Sequence, residues 1–190
     1  MKINEIFYSI QGEGRNNGMA MVFIRLAGCN LHCEFCDTKY AFDSAFELNE
    51  LEIMASVKKY TSKWVCLTGG EPFMQDLRAL TNHLKRGGFD IQIETNGTIY
   101  QPITCDWLVV SPKNEKKPDV FMLEQANEIK IVVDSQESLE KAKMFERWGK
   151  YHSVQPVDNR EDMLGLCIDF VKKNPNWRLS MQLHKFIGID

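Results

Sequence analysis

Cys29, Cys33 and Cys36 lie in the run Gly28-Cys29-Asn30-Leu31-His32-Cys33-Glu34-Phe35-Cys36-Asp37-Thr38, spaced C-x3-C-x2-C. Three thiolates on a cube of four irons leave one iron without a protein ligand. An open metal position lets a small molecule bind and react, whereas a closed four-ligand site only holds structure. Two other uses compete. Cys29, His32, Cys33 and Cys36 are also four possible zinc ligands. A simple electron carrier is the third use, but ferredoxin-type clusters normally take four cysteines.

A second signature follows the apolar run Trp64 to Leu67, namely Thr68-Gly69-Gly70-Glu71-Pro72. Glycine has no side chain, so a ligand can come close to the backbone there. A zinc knuckle leaves this motif unexplained. Other polar groups fall at the ends of apolar runs. Arg25 suits a two-point grip on a carboxylate, with a buried ion pair as its alternative use. Glu13 and Gln11 carry side-chain oxygens that can accept hydrogen bonds. Lys130 and Lys185 read either as rim ligands or as solvated lysines.

The elements that must position these groups alternate between strand and helix. Strands are expected at 3–10, 19–26, 64–67, 90–93, 107–110, 128–133, from Ser153, and at 177–183, after which come His184 and Lys185. Helices are expected at about 48–60, 76–86, 136–148 and 160–173, the second closed by Gly87-Gly88. Asn114 to Asp119 reads as a charged surface loop. The pattern predicts an α/β protein with about six mostly parallel strands. A complete eight-fold barrel usually needs about 250 residues, so an open, partial TIM-like barrel fits better. The candidate residues sit at the C-terminal ends of strands, where such sheets bind ligands.

The 190 residues suit one domain, 1–190, with 44% hydrophobic and 26% charged content. A net charge of -3 gives no footing for broad nucleic-acid or membrane-surface binding. No apolar run nears membrane-spanning length, and the N-terminus lacks a secretory core, so a cytoplasmic location is expected. Cys66, Cys105 and Cys167 lie in or beside apolar segments and read as free, packed cysteines.

The cysteine loop and the Gly-Gly motif resemble the two signatures of radical S-adenosylmethionine enzymes. In that superfamily the cysteines hold a 4Fe–4S cluster, S-adenosylmethionine chelates its fourth iron, and reductive cleavage gives a 5′-deoxyadenosyl radical. Further residues narrow the likeness: Phe7-Tyr8-Ser9-Ile10-Gln11-Gly12-Glu13-Gly14, Arg25, Cys36-Asp37-Thr38, Glu94-Thr95-Asn96-Gly97, Ser111-Pro112-Lys113, Gln155-Pro156 and His184-Lys185. Together they resemble the 7-carboxy-7-deazaguanine synthases over nearly the whole chain.

That resemblance implies a carbon–nitrogen lyase serving 7-deazapurine (queuosine precursor) biosynthesis, on a homodimer. It converts 6-carboxy-5,6,7,8-tetrahydropterin to 7-carboxy-7-deazaguanine with loss of ammonia. It implies Mg2+ at Thr38 and a reductant such as flavodoxin or ferredoxin. For S-adenosylmethionine it implies Phe35, Asp37, Gly70, Glu94, Asn96, Ser111, Lys113, Gln155, Pro156 and Asp158. For the substrate it implies Ile10, Gln11, Gly12, Glu13, Arg25, Thr68, His184 and the terminal Asp190. Two other functions remain open from sequence: a radical-installing activase with a protein partner, and a zinc-stabilised binding module.

Overall fold

In the computed structural model, which describes residues 1–42, 45–113 and 116–189, the strands form one nine-stranded sheet. They are β1 (Lys2–Ile10), β2 (Ala20–Leu26), β3 (Phe46–Glu47), β4 (Trp64–Gly69), β5 (Asp90–Thr95), β6 (Trp107–Val110), β7 (Glu128–Val133), β8 (Tyr151–Pro156) and β9 (Trp177–Leu179). Their spatial order is β3-β1-β2-β4-β5-β6-β7-β8-β9. From β2 to β9 every neighbouring pair is parallel, while β1 pairs antiparallel with β2 and with β3. β3 and β9 end the order without pairing to each other, so the sheet is an open barrel rather than a closed one. In place of the expected six there are nine among the described residues: β2 and β4 to β9 run parallel, and β1 with two-residue β3 adds an antiparallel edge.

The alternation of residues along each strand explains the two faces. Ile91 and Ile93, Ile129 and Ile131, and Val154 join one large core cluster. That cluster also takes Ile53 from α1 (Glu50–Val57), Leu80 and Leu84 from α2 (Arg78–Arg86), Met122 and Leu123 from α3 (Val120–Gln125), Leu139 from α4 (Gln136–Ala142) and Phe170 from α5 (Glu161–Lys173). The helices therefore cover one face. The intervening positions, Gln92 and Glu94, Glu128 and Lys130, and Ser153 and Gln155, are polar and mostly buried on the other face. A sheet keeps such side chains away from water only where they satisfy one another or a ligand.

Several boundaries differ from the sequence reading. α3 was not anticipated: Asp119 starts it by accepting from the Phe121 N–H at 2.8 Å, and six residues are too few to display a period. α4 stops at Ala142 and a short 3-10 turn, Lys143–Phe145, follows. The last strand ends at Leu179, and His184 and Lys185 lie on a short helix, α6 (Leu183–Ile187). Of the expected loop 114–119, positions 114 and 115 lie outside the described residues, as does Asp190.

None of the six cysteines is in a disulfide. The start of α1 carries a reciprocal cap: Asn49 Oδ1 accepts from the N–H groups of Leu51 and Glu52, and Glu52 accepts from the Asn49 N–H. Asn49→Ala is expected to cost about 1 kcal/mol. Thermal unfolding should register this as a Tm lower by about 2–4 °C.

Candidate functional site

A cavity of about 490 Å3 opens on the polar face, and the sequence-predicted residues converge on it. Cys29, Cys33, Cys36, Asp37 and Thr38 line one side, from the loop after β2. Ile10, Gln11, Gly12 and Glu13 line it from the loop after β1, with Arg25 and Thr68 from β2 and β4. Phe35, Gly70, Glu94, Asn96, Ser111, Lys113, Gln155, Asp158 and His184 complete the expected set. Pro156 closes β8 without lining the cavity.

The cysteine loop is placed by backbone. Gly28, at φ 89°, turns the chain out of β2, and its N–H donates to the Ala41 carbonyl at 3.0 Å. The Cys36 N–H donates to the Cys33 carbonyl at 3.1 Å, which folds the three cysteines into a tight loop. Gly69 and Gly70 fit against this loop. A Cβ on Gly70 would stand 2.0 Å from the Gly28 carbonyl oxygen, and one on Gly69 would stand 2.2 Å from that of Leu26. The glycine pair is thus required by the protein's own packing, beyond any ligand. Glu71, fully buried, joins this motif to the next strand end. It accepts from Thr95 Oγ1 at 2.6 Å, from the Asn96 N–H at 2.7 Å and from the Phe73 N–H at 3.1 Å.

The donor set separates the two metal readings. His32 is exposed, outside the cavity, with its ring against Phe42 at 5.7 Å. Cys29, Cys33 and Cys36 all line the cavity and His32 does not, so the cavity presents three thiolates rather than a quartet of zinc ligands. Burial raises the Cys29 thiol above its ordinary pKa, against the backbone hydrogen bond at Leu31. The thiolate a metal needs is therefore formed on binding.

The opposite end is a network of charges. Lys130, which the sequence left as a rim ligand or a solvated lysine, is buried in β7 and paired with Glu13. Burial alone would raise the Glu13 pKa. The Lys130 charge and hydrogen bond, helped by Gln182, bring it down to about 2 instead. The same pairing raises the pKa of Lys130 above its ordinary value despite burial. Glu94 accepts from Gln11 Nε2 at 2.8 Å, Gln92 Nε2 at 2.9 Å and Thr68 Oγ1 at 3.4 Å. It therefore fixes two of the residues assigned to substrate. Asn96 holds Asn30 of the cysteine loop at 2.9 Å. Arg25 donates from Nε to Glu5 at 2.7 Å, the ion pair the sequence offered as an alternative, and still lines the cavity. Lys113 donates to Ser111 Oγ at 2.7 Å and stands 6.0 Å from the Phe35 ring centre. Burial, then the Lys130 charge, lowers its pKa.

Sequence reasoning missed Gln182. Its side-chain amide donates to Glu13 at 3.0 Å and to Asp37 at 2.8 Å. The only available signal was its place two residues before His184.

Residues 23–109 match the radical SAM superfamily. The chain is 41% identical to the 7-carboxy-7-deazaguanine synthase of Bacteroides thetaiotaomicron, covering 99% of this chain and 98% of that protein. It is 35% identical to the synthase of the same name from Escherichia coli, over 98% of each. A crystal structure titled QueE from Escherichia coli superposes with a TM-score of 0.87 at 33% identity, covering 96% of this chain and 94% of that one. With three cysteines on one cavity of an open barrel and relatives matching from end to end, the chain belongs to the 7-carboxy-7-deazaguanine synthase family of radical SAM enzymes.

Proposed function

We propose that this enzyme converts 6-carboxy-5,6,7,8-tetrahydropterin to 7-carboxy-7-deazaguanine and ammonia. Loss of ammonia alone balances substrate against product, so no net oxidant is needed. The observation that carries this reading is one cavity with the three cysteines on one side and Gln11, Glu13, Arg25 and Thr68 on another. When bound, the cluster and S-adenosylmethionine supply one-electron cleavage that starts hydrogen abstraction. Cys29, Cys33 and Cys36 would hold the cluster. Phe35, Asp37, Gly70, Glu94, Asn96, Ser111, Lys113, Gln155, Pro156 and Asp158 would border S-adenosylmethionine.

The chain's own residues bind and orient the substrate. Glu13, kept ionised by Lys130, accepts from the amino and ring N–H groups of the pterin. Arg25 has its Nε engaged by Glu5, which leaves the two terminal nitrogens as the fork for the substrate carboxylate. Gln11 and Thr68 are held in fixed rotamers by Glu94. Thr38 would contribute one oxygen to Mg2+, whose other ligands come from substrate and water. The electron donor is a flavodoxin- or ferredoxin-type protein, and the enzyme works in the cytoplasm as a homodimer. No helix among the described residues is long and apolar enough to cross a membrane. An activase reading has no use for this polar pocket, and His32 stands away from any zinc quartet.

The test is a product assay under anaerobic conditions with S-adenosylmethionine, reductant and Mg2+. Formation of 7-carboxy-7-deazaguanine supports the reading, and S-adenosylmethionine cleavage with untouched pterin overturns it. Arg25→Ala is expected to raise KM for the pterin roughly tenfold or more while iron content stays that of the parent. Unchanged KM would remove Arg25 from the carboxylate grip.

A further inference from the structure

The segment after β9 is where three loops of the cavity meet. From the loop after β1, the Gly14 N–H donates to Ser180 Oγ at 2.8 Å, and the Leu183 N–H donates to the Gly12 carbonyl at 2.9 Å. From the loop after β8, Asn159 pairs with the backbone of Gln182 in both directions. Its Nδ2 donates to the Gln182 carbonyl at 3.0 Å, and its Oδ1 accepts from the Gln182 N–H at 2.9 Å. Asp158 and Asn159 both have positive φ, at 50° and 53°, a conformation that non-glycine residues keep only where surroundings impose it. The third loop carries the cysteines and is reached through Asp37.

Gln182 stands at the centre of this junction. One nitrogen, Nε2, donates to Glu13 Oε1 and to Asp37 Oδ2. Charge is already balanced at both carboxylates, because Lys130 pairs with Glu13 and Lys185 pairs with Asp37 at 3.3 Å. What the amide adds is a fixed distance between the two. Its own oxygen shows what this costs. Oε1 is buried and meets no donor among the described residues, which is rare for a buried polar atom. Turning the amide over would set that oxygen against two carboxylates, so the observed orientation is the better of the two.

We propose that Gln182 is a positioning residue for the pterin reaction, holding the Glu13 carboxylate toward the substrate and tying it to the cysteine loop through Asp37. This rests on the reading of Glu13 as the acceptor for the pterin N–H groups. The bridge sets the substrate end of the cavity at a fixed separation from the cluster end, and a hydrogen-abstraction geometry tolerates little error there.

The experiment uses reconstituted holoenzyme with S-adenosylmethionine and no reductant, so that the pterin binds without turning over. Its Kd is measured by calorimetry for wild type, Gln182→Met, Gln182→Glu and Asn49→Ala, and KM and kcat are then measured with reductant. Gln182→Met removes the donor at similar volume, and Gln182→Glu keeps the shape but adds a third carboxylate. Both are expected to raise Kd and KM roughly tenfold or more, with kcat changed less and with Tm and iron content kept. Asn49→Ala weakens the α1 cap without touching the cavity, and its Kd is expected within about twofold of wild type. Wild-type Kd in both Gln182 variants would overturn the proposal, as would an Asn49→Ala loss equal to theirs. If Gln182→Met fails to hold iron, Gln182→Glu decides. Wild-type protein that neither binds nor converts the pterin would instead overturn the functional reading.

Discussion

Replacing Gly70 with alanine is expected to lower turnover by at least about a hundredfold and to deplete the protein of iron. The new Cβ would lie 2.0 Å from the Gly28 carbonyl oxygen, 2.5 Å from its carbon and 3.1 Å from the Cys29 nitrogen. These are backbone atoms, so no side chain can rotate away. The adjacent Glu71 N–H donates to that same Gly28 carbonyl at 2.8 Å, which pins the two loops face to face. Relief requires the end of β4 and the cysteine loop to separate. Cys29 would then leave its place, and displacements of about 1 Å at a reacting centre already cost about a hundredfold. Gly165→Ala provides the comparison. That site on α5 has open space around it, and alanine there is expected to stabilise the helix by about 0.5–1 kcal/mol. Iron and sulfide per chain, with turnover, decide the matter: normal iron in Gly70→Ala would mean that the contact yields.

Local spacing made much of this site legible. The cysteines lie within eight residues, and the Gly-Gly motif follows a plain apolar strand. Polar residues at strand ends fall on one rim in any parallel α/β sheet, so their convergence could be anticipated. What escaped were pairings between distant residues. Lys130 reads from sequence as an isolated charge between Ile129 and Ile131, and nothing local announces Glu13, 117 positions away. The Gln182 bridge to Glu13 spans 169 positions. The partners of Glu94 are hidden for the same reason. Its three donors, Gln11, Thr68 and Gln92, come from three strands or their ends, and only the assembled sheet brings them together. The lost end of the last strand has a similar cause. Ser180 still reaches the Val154 carbonyl at 2.9 Å, but the chain then turns to meet Gly12 and Asn159, and those tertiary bonds override its apolar pattern.

Lys130→Met should be the most destabilising single change in the cavity, costing about 3–5 kcal/mol at neutral pH. Methionine fits the volume and leaves the helix-covered core untouched, so the cost is electrostatic. It strands a largely buried Glu13 with, among the described residues, the Gln182 amide as its remaining side-chain donor. Burial already pushes the Glu13 pKa upward, and Lys130 supplies the larger part of what holds it down at about 2. The sign of the pH dependence follows. In the wild type the folded-state pKa lies below the ordinary carboxyl value of 4.5, so this group's stabilisation is full above about 4.5 and is lost as pH falls toward 2. In the variant the Lys130 charge and hydrogen bond are gone and burial raises the pKa, so protonation relieves the stranded charge as pH falls. The difference in unfolding free energy between variant and wild type should therefore shrink from pH 8 to pH 5. Urea unfolding of the holoenzyme at the two pH values measures it. A deficit that is constant with pH would mean that Lys130 acts through packing rather than charge. The pterin should also bind more weakly to the variant, because a protonated Glu13 offers one acceptor oxygen fewer to the N–H groups it faces.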